Sequence, residues 1–295
     1  MKTNYVLVTP VYNEGDLIEK VIESVIAQTI RPTVWVIVND GSTDRSPEII
    51  RRYESSHSFI RCLSLRREDI ETYYSRRVYV VLEGIQEAKK TDYDYIGVLD
   101  GDTTLEPNYY ESILTKFDQD TTLGIATGIS LFPVNGKLIC PPMDSMHTPG
   151  SIQMFRKDCY DQIGGYTPLK YGGDDTLCEI TARMQGWKTR NFPELVSYQH
   201  RYVGTGDGRG MLKARFRQGL TDYNVATNPI FMVAKTLRRM FIEPPFVIGS
   251  IVRLAGYLYG HCSREKCVIP ADIRRYIRKE QLGRVFGFQQ KAKTS

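Results

Sequence analysis

Cysteine is scarce in this sequence, and the six cysteines form no pattern that would give them a shared task. No two of them make a Cys-x-x-Cys pair, so neither a zinc site nor a disulfide framework is expected. Reduced, mostly buried thiols in a cytoplasmic protein are the plainer interpretation. Long apolar runs are missing as well. The run before Pro10 is too short for a signal peptide or a membrane anchor, and the apolar stretch 246–259 is too short to span a bilayer.

Two common phosphate-binding loops are also missing. The segment after the first apolar run, residues 9–14, reads Thr-Pro-Val-Tyr-Asn-Glu, where a dinucleotide-binding domain would carry Gly-x-Gly-x-x-Gly. Asn135-Gly136-Lys137 lacks both the context of a P-loop and a serine or threonine after the lysine. A nucleotide site in this chain must therefore hold phosphate in another way.

Short apolar runs alternate with amphipathic segments through residues 5–117. The pattern predicts strands at residues 5–9, 34–38, 59–64 and 95–99. It predicts helices at residues 16–28 with Asp16 as the N-cap, from Ser46 with its hydroxyl as the cap, at 78–89 and at 107–117. This alternation indicates an α/β fold with a parallel sheet, in which ligands lie beyond the carboxyl ends of the strands.

Polar residues occupy three of these strand ends, at 9–14, 39–44 and 100–103. Asp100 and Asp102 are separated by one residue, so an extended chain places them on the same side. Two ionised carboxylates this close repel each other unless a cation lies between them. Oxygen ligands suit Mg²⁺ or Mn²⁺, usually with substrate phosphates completing the shell. The pair therefore predicts a metal site, although acidic pairs also occur in solvated turns.

The second half of the chain contributes another acidic pair. Asp174 and Asp175 follow two glycines and open a predicted helix, and on spacing alone capping is favoured over catalysis. His200 ends a further β-like run, where it is a metal ligand, a diphosphate contact or a plain structural histidine. The glycines of 204–210 predict a flexible loop, which is a connector or closes over a ligand with Arg209 meeting phosphate.

The strand-end motifs together resemble the inverting glycosyltransferases of family 2, which have the GT-A fold. The motifs are Thr9-Pro10-Val11-Tyr12-Asn13-Glu14, Asn39-Asp40-Gly41-Ser42-Thr43-Asp44 and Asp100-Gly101-Asp102, and the 174–175 pair stands where that family carries its catalytic acidic motif. The resemblance covers residues 4–225. It implies an α/β, Rossmann-like GT-A fold with a mostly parallel sheet flanked by helices. The catalytic domain would span 1–225, with a nucleotide-sugar half at about 1–103 and an acceptor half at about 104–225.

The resemblance also implies roles for the matching residues. The nucleotide-sugar pocket would be formed by Thr9, Pro10, Tyr12, Glu14, Asp40 and Asp100. Within it, Asp40 would hydrogen-bond the base, consistent with uracil, and Asp100 would face the ribose. Mn²⁺ or Mg²⁺ would be held by Asp102 and His200. Asp175 would be the general base, with Asp174 as its substitute. A basic donor contact would come from Arg66, Arg67, Arg76 or Arg77.

These roles predict direct, metal-assisted transfer of one sugar from a nucleotide-sugar, UDP-linked by preference, to a hydroxyl of a lipid-linked or surface-glycan acceptor. The Gln-x-x-Arg-Trp motif of processive relatives is absent at residues 215–219, which favours single-sugar transfer over polymer synthesis. Two alternatives stay open: a nucleotidyltransferase, and a membrane-attached nucleotide-sugar binder without activity. The first would be expected to carry a glycine-rich basic loop after the first strand, and residues 9–14 are not one.

The C-terminal region 226–295 is predicted to be helical and to contact a membrane. The net charge of +5 is carried mostly by residues 264–295, which indicates an anionic surface rather than nucleic acid as partner. We expect 246–259 to lie in a membrane interface, with Tyr257 and Tyr259 at the headgroups and Arg253 reaching out to them. The alternative is a helical pair packed on the catalytic domain. The expected location is cytoplasmic, at the inner face of the cell membrane.

Overall fold

The structure, a computed structural model, describes residues 3–67, 72–134, 136–141, 143–201, 210–263 and 267–287. The predicted glycine-rich loop, with Arg209, lies outside the described residues except for Gly210. The chain divides into two compact units, Met1–Lys170 with Asp174–Val203 and Tyr171–Gly173 with Gly204–Ser295. We call the first the sheet unit and the second the helical unit. The predicted functional boundary near residue 225 stays a prediction.

Four parallel strands form one half of the sheet. They are β1 (Tyr5–Val11), β2 (Val34–Asp40), β3 (Ile60–Leu65) and β4 (Tyr95–Val98), in the order β3-β2-β1-β4. β1, β2 and β4 are almost wholly buried, as expected of β-branched runs covered on both faces. Because these strands are parallel, their carboxyl ends meet at one edge, as the sequence predicted.

The other half of the sheet is mixed, so the prediction of a mostly parallel sheet needs correction. Its strands are β5 (Thr103–Leu105), β6 (Leu123–Val134), β7 (Lys137–Ile139), β8 (Met154–Arg156) and β9 (Lys188–Gln199). β8 is antiparallel to both β4 and β6, and β5 is antiparallel to β9, whereas β6 and β9 are parallel. Three-residue strands carry too little sequence for a period to show, so the pattern could not predict these pairings.

Helices cover both faces of the sheet. They are α1 (Ile18–Ile26), α2 (Ser46–Ser56), α3 (Tyr73–Ala88), α4 (Tyr109–Gln119), α5 (Lys157–Ile163) and α6 (Asp174–Met184). The apolar sides of α1, α2 and α4 share one core with the sheet, and those of α3, α5 and α6 share another. A 3-10 turn at Gly150–Ile152 lies next to β4.

Two predicted helix caps and one predicted helix start were wrong, whereas α2 begins at Ser46 as predicted. Asp16 does not cap α1: its side chain is 94% exposed and pairs with Arg45 at 3.1 Å. The Ser46 hydroxyl does not cap α2 and instead accepts a hydrogen bond from the Glu14 backbone N–H at 2.9 Å. Helix α3 begins at Tyr73 rather than at residue 78, because the Thr72 hydroxyl accepts from the Ser75 backbone N–H. The third difference matters most, since it places two consecutive arginines on a helix.

The helical unit contains α7 (Met211–Asn224), α8 (Pro229–Arg239), α9 (Phe246–Cys262) and α10 (Ala271–Phe286). Helices α7 and α9 pack backbone against backbone. A Cβ added to Gly219 would lie 1.9 Å from the Arg253 carbonyl oxygen, and one added to Gly256 would lie 2.1 Å from that of Phe216. Only glycine permits so close a crossing.

The structure corrects two details predicted for α9. Tyr257 is 3% exposed and its hydroxyl donates to the Thr227 carbonyl at 2.8 Å, so it cannot lie at lipid headgroups. Arg253 is turned inward and donates to Asp222 at 2.7 Å. Among the described residues, no helix is both long and apolar enough to cross a membrane.

Candidate active site

Two loops at the carboxyl edge of the sheet are joined by short polar side chains. The Asn13 backbone N–H donates to the Ser42 hydroxyl at 3.0 Å, and the Asn13 amide oxygen accepts from the Thr43 N–H at 2.9 Å. One step further, the Gly15 N–H donates to Asp44 Oδ2 at 2.7 Å. The segments 9–14 and 39–44 that were predicted to converge are thus fixed to each other. Several of their polar residues hold the loops in shape rather than facing a ligand.

The pocket residues predicted on β1 are unequally accessible. Thr9 is fully buried, and its hydroxyl accepts from the Trp35 indole N–H at 2.9 Å, so only its main chain is left for a ligand. Pro10 and Tyr12 are half-buried. The Tyr12 ring has the Arg67 guanidinium carbon 3.6 Å from its centroid, which is a cation–π contact.

Asp40, at the end of β2, is buried between two arginines. Arg76 donates through Nε to Oδ1 at 2.9 Å, and Arg67 donates through Nη1 to Oδ2 at 2.8 Å. Gly41 follows with a φ of +68°, and a Cβ there would lie 2.8 Å from the Arg67 side chain. The glycine therefore allows Arg67 to lie against the strand end, where it links Asp40 to Tyr12.

Arg77, the next residue along α3, reaches a different pair of carboxylates. Its Nε donates to Asp100 Oδ1 at 3.1 Å, its Nη2 donates to the Gly150 carbonyl at 3.1 Å, and its Nη1 lies 3.5 Å from Asp174 Oδ2. Burial disfavours the charged guanidinium, but Asp100 and Asp174 outweigh it and hold the pKa of Arg77 above its ordinary value. One arginine thus brings together the two acidic motifs of the sequence, although they are separated by more than seventy residues.

Asp102 is buried near two other carboxylates, those of Asp100 and Glu14. It accepts from the Thr103 hydroxyl at 3.2 Å and from the Gln199 amide at 3.4 Å, both through Oδ1. Within the described ranges, no lysine or arginine lies within ion-pair distance of it, in contrast to Asp100. Burial, and then the charges of Asp100 and Glu14, raise the pKa of Asp102 to about 7. The site is therefore short of positive charge at this carboxylate.

Glu14 and His200 complete this end of the site. Arg201 donates to both Glu14 oxygens, through Nη1 to Oε1 at 2.6 Å and through Nη2 to Oε2 at 2.5 Å. Burial raises the pKa of Glu14 even so. The His200 backbone N–H donates to the Asp102 backbone carbonyl at 2.9 Å, and the His200 ring Nε2 lies 3.2 Å from the Thr104 hydroxyl. Burial, and then Lys20, lower the pKa of His200, which favours the neutral ring that can bind a metal.

The two aspartates at the start of α6 differ in their exposure to solvent. Asp174 is 7% exposed, and its Oδ2 has no hydrogen-bond partner among the described residues, although Arg77 Nη1 lies 3.5 Å away. Burial raises the pKa of Asp174 to about 6, with Arg77 opposing and Asp175 adding to the rise. Asp175 is half-buried and is oriented by two backbone N–H groups, those of Thr176 at 2.7 Å and Gly150 at 3.1 Å. Asp175 is therefore the more accessible of the two.

The donor set fits a divalent ion that also binds a ligand. No group of three or more His, Cys, Asp and Glu side chains is arranged to hold a metal in the part of the chain that the structure describes. Asp102 and His200 alone leave most of an octahedral shell to other ligands, and diphosphate oxygens commonly fill those positions. A cation there would also stabilise the ionised form of Asp102, which burial and then the charges of Asp100 and Glu14 disfavour.

Sequence reasoning missed two connections of this site. Arg201 follows His200 directly, but nothing in the sequence pairs it with Glu14, which lies far away along the chain. Arg77 was one of four candidate arginines, and only the α3 helix distinguishes it from Arg76. Consecutive residues point about 100° apart on a helix, so these neighbours reach different strand ends. A helix predicted to begin at Tyr73 would have shown that Arg76 and Arg77 point in different directions.

Comparison with known proteins agrees with the fold and with the motifs. Residues 6–164, more than half of the chain, match the family model for glycosyl transferase family 2. Among curated relatives, a poly-β-1,6-N-acetyl-D-glucosamine synthase of Staphylococcus aureus is 30% identical over 118 residues, which are 40% of this chain and 26% of that protein. The uncharacterized glycosyltransferase YibD of Escherichia coli is 31% identical over 114 residues, or 39% and 30% of the two chains. The matched segment thus spans less than a third of either relative.

Solved structures share the fold across nearly the whole chain. The mannosyltransferase PcManGT of Pyrobaculum calidifontis, in complex with GDP-Man and Mn²⁺, has a TM-score of 0.57 at 14% identity and covers 97% of this chain and 88% of its own. S. aureus TarS 1–349, in complex with UDP-GlcNAc, also has a TM-score of 0.57 at 14% identity, covering 98% and 93%. The predicted α/β, GT-A type of fold is confirmed in its mixed-sheet form. The chain belongs to glycosyl transferase family 2.

Proposed function

We propose that this protein transfers a single sugar from a nucleotide-sugar to an acceptor hydroxyl, with inversion and with a divalent metal. The observation that carries the proposal is the charge arrangement at the carboxyl edge of the sheet. Glu14 and Asp100 are each neutralised by an arginine, whereas Asp102 is not, so one carboxylate among three is left for a cation. Such an arrangement suits a donor that brings a metal with its diphosphate.

The nucleotide half of the donor would lie against the joined loops. The Tyr12 ring and the Asp40–Arg67 pair offer a flat surface and hydrogen-bonding groups for a base. We propose that the donor is a UDP-sugar, in agreement with the UDP-GlcNAc bound by TarS. Because PcManGT binds GDP-Man, GDP-sugars are the main alternative donors to test. Hydrogen bonds to the base would distinguish uridine from guanosine donors. A site whose polar groups pair with one base leaves some of them unpaired when the other base binds.

In the reaction, Asp175 would accept the proton of the acceptor hydroxyl as that oxygen attacks the anomeric carbon. Its two backbone N–H contacts aim the carboxylate, and its exposure leaves it within reach of an acceptor. Asp102 and His200 would hold Mn²⁺ or Mg²⁺, which when bound stabilises the negative charge on the departing diphosphate. Attack from the opposite face inverts the anomeric centre in one step. Asp174, tied to Arg77, would position α6 rather than take the proton, with substitution for Asp175 as the alternative.

The acceptor is proposed to be lipid-linked or a growing surface glycan at the inner face of the cell membrane. A relative that makes a polysaccharide, the poly-N-acetyl-D-glucosamine synthase, supports a glycan context. Transfer of one sugar rather than many rests on the missing Gln-x-x-Arg-Trp motif. At its position, Arg215 is buried and pairs with Glu243, so it serves the interior of the helical unit.

The test is a melting-temperature screen of UDP- and GDP-sugars with Mn²⁺, followed by assay of the released nucleotide. A donor at 100 times its Kd stabilises the folded protein by about 2.7 kcal/mol, a readily measured shift. Asp102→Asn should lose both the Mn²⁺-dependent shift and turnover, whereas Asp16→Asn, at an aspartate with a 94% exposed side chain, should keep both. Product analysis by NMR should show inversion. Release of pyrophosphate, retention at the anomeric carbon or undiminished turnover of Asp102→Asn would contradict the proposal.

A further inference from the structure

A loop of the sheet unit runs beside the proposed general base. Residues 144–149 form neither helix nor strand, and a short 3-10 turn begins at Gly150. We call residues 144–150 the supporting loop. The Gly150 backbone N–H donates to Asp175 Oδ2 at 3.1 Å, and a Cβ added to Gly150 would lie 3.1 Å from the Asp175 Cβ. The end of this loop therefore lies directly against the side chain that is proposed to accept the proton.

Two side chains of β9 hold the first part of the supporting loop. Asn191 Nδ2 donates to the Asp144 carbonyl at 2.7 Å and to the His147 carbonyl at 2.8 Å. The Thr189 hydroxyl donates to the Met146 carbonyl at 2.7 Å. Both of these side chains are buried. Carbonyl groups that would face water in an ordinary surface loop are thus bound by the protein itself.

Glu179 holds the supporting loop two residues before Gly150. Its Oε2 accepts from the Thr148 backbone N–H at 2.8 Å and from the Thr148 hydroxyl at 3.1 Å, and His147 Nδ1 lies 3.3 Å from both of its oxygens. Gln153 binds the same residue, since its Nε2 donates to the Thr148 carbonyl at 3.1 Å. Thr148 and Gln153 are fully buried, and Glu179 is 5% exposed. Burial of a carboxylate is costly unless such bonds compensate it, so a buried glutamate here needs a reason.

Glu179 and Asp175 meet the supporting loop from the same side of one helix. They lie four residues apart on α6, which is about one helical turn. Glu179 binds the loop at Thr148, and Asp175 binds it two residues further on. Only Pro149 separates these two points, and its ring restricts the backbone there. Movement of Thr148 would therefore also displace Gly150 and the Asp175 carboxylate that it orients.

We propose that Glu179 is a positioning residue, which fixes the supporting loop so that the Gly150 N–H aims Asp175 at the acceptor hydroxyl. The inference rests on the proposed function, because it takes Asp175 as the general base. Proton transfer requires precise geometry, and misplacement by about 1 Å can lower a rate about a hundredfold. Glu179 itself is buried and acts only through Thr148 and Gly150.

The first experiment compares Glu179→Ala and Glu179→Gln with the unaltered full chain. Nucleotide release is measured, and kcat is expressed per binding site for UDP with Mn²⁺, counted by calorimetry, so that loss of folded protein is not read as loss of rate. We expect Glu179→Ala to lower this kcat at least about tenfold with an unchanged KM for the donor. Glu179→Gln keeps an oxygen that can accept from the Thr148 N–H and should restore most of the rate. Equal losses in both variants, or a raised KM with an unchanged kcat, would overturn the proposal.

Gln28→Ala is the matched control for loss of a buried polar side chain. Gln28 is buried, its Nε2 donates to the Glu106 carbonyl at 2.8 Å, and its Oε1 accepts from the Tyr110 N–H at 3.1 Å, away from the supporting loop. Gln28→Ala and Glu179→Ala should both lower the melting temperature, by roughly 2–10 °C. Only Glu179→Ala should lower kcat per site. A similar fall in kcat for Gln28→Ala would show a general effect of destabilisation and overturn the proposal.

A double substitution separates positioning from stability. If Glu179 acts through the base, Glu179→Ala should lower kcat per site less than about twofold in the Asp175→Asn background. Losses that multiply in the double variant would overturn the proposal. An undiminished kcat for Asp175→Asn would refute the base in the proposed function, and this proposal with it. A loss for Asp175→Asn without one for Glu179→Ala would refute the positioning role alone.

Hydrogen–deuterium exchange tests the supporting loop without any turnover. The backbone amides of residues 144–150 should exchange faster in Glu179→Ala than in Gln28→Ala, because only the first variant removes the acceptor of the Thr148 N–H. Unchanged exchange would show that Glu179 does not hold the loop. Faster exchange with an undiminished kcat per site would show that holding the loop does not position the base. Either result would overturn the proposal.

Discussion

Arg77 allows a quantitative test of how the site is held together, because it joins two carboxylates from distant parts of the chain. Its side chain is 22% exposed, and that of Asp174 is 10% exposed. Removing one partner of a buried ion pair costs about 3–5 kcal/mol, because the other charge is left uncompensated. We expect Arg77→Met to lower the free energy of unfolding by about 3 kcal/mol, at the lower limit because Asp100 keeps some contact with solvent.

The assay is thermal and urea unfolding of the purified variants, followed by circular dichroism. For a domain of this size, 3 kcal/mol corresponds to a fall in melting temperature of roughly 6–12 °C. Arg45→Met is the matched control, since its pair with Asp16 has a similar length of 3.1 Å but side chains that are 65% and 94% exposed. We expect it to cost less than about 1 kcal/mol.

A double-mutant cycle identifies the source of the loss. Asp174→Asn removes one of the charges that Arg77 compensates, so the arginine substitution should be less damaging in that background. We expect a coupling energy of about 1–3 kcal/mol between the two sites. If the two losses add to within about 0.5 kcal/mol, Arg77 does not stabilise Asp174 and does not hold the two acidic motifs together.

Three further predictions concern the base, the metal and the helix crossing. Asp175→Asn should lower kcat by at least about a hundredfold with an unchanged melting temperature, and Asp174→Asn should lower it less; a larger loss for Asp174→Asn would identify Asp174 as the base instead. Affinity for Mn²⁺, measured by calorimetry between pH 5.5 and 8.5, should rise with pH and level off above about 7, because Asp102 must lose its proton to bind metal. A flat profile would exclude Asp102 as a ligand. Gly256→Ala should destabilise by about 1–3 kcal/mol through contact with the Phe216 carbonyl, although alanine favours helices, and a stabilised variant would refute that contact.

The first half of the fold could be predicted because its signals are strong and local. Strands β1, β2 and β4 are continuous apolar runs, and α1 has a clear apolar stripe, so each was predicted to within a few residues. Helix α3 was predicted too short because Ser75, Arg76 and Arg77 interrupt the apolar pattern at its start. The short strands β5 and β8 pair with strands far away in the chain, which no local pattern reveals, whereas β7 pairs with β6 directly before it but has only three residues.

For the candidate site, the sequence predicted which residues lie at one edge of the sheet but not the contacts among them. Motif spacing brought Asp40, Asp100 and Asp102 to one edge, and the structure agrees. Which cation meets which carboxylate depends on the direction of side chains from a helix whose start was predicted wrongly. The buried hydroxyl of Thr9 shows the same limit, because its partner Trp35 belongs to the neighbouring strand.

The adjacency of Arg76 and Arg77 has a consequence for how the site can change. Arg76 contacts Asp40 at the end of β2. Arg77 contacts Asp100, which follows β4, and Asp174 at the start of α6. Both sets of contacts therefore depend on the position of helix α3. Rotating the helix, or shifting it by one residue, would disturb both at once. Single insertions or deletions near residues 72–77 should accordingly be far less tolerated than those around Lys90, where the ion pairs of Lys89 and Lys90 are exposed to solvent.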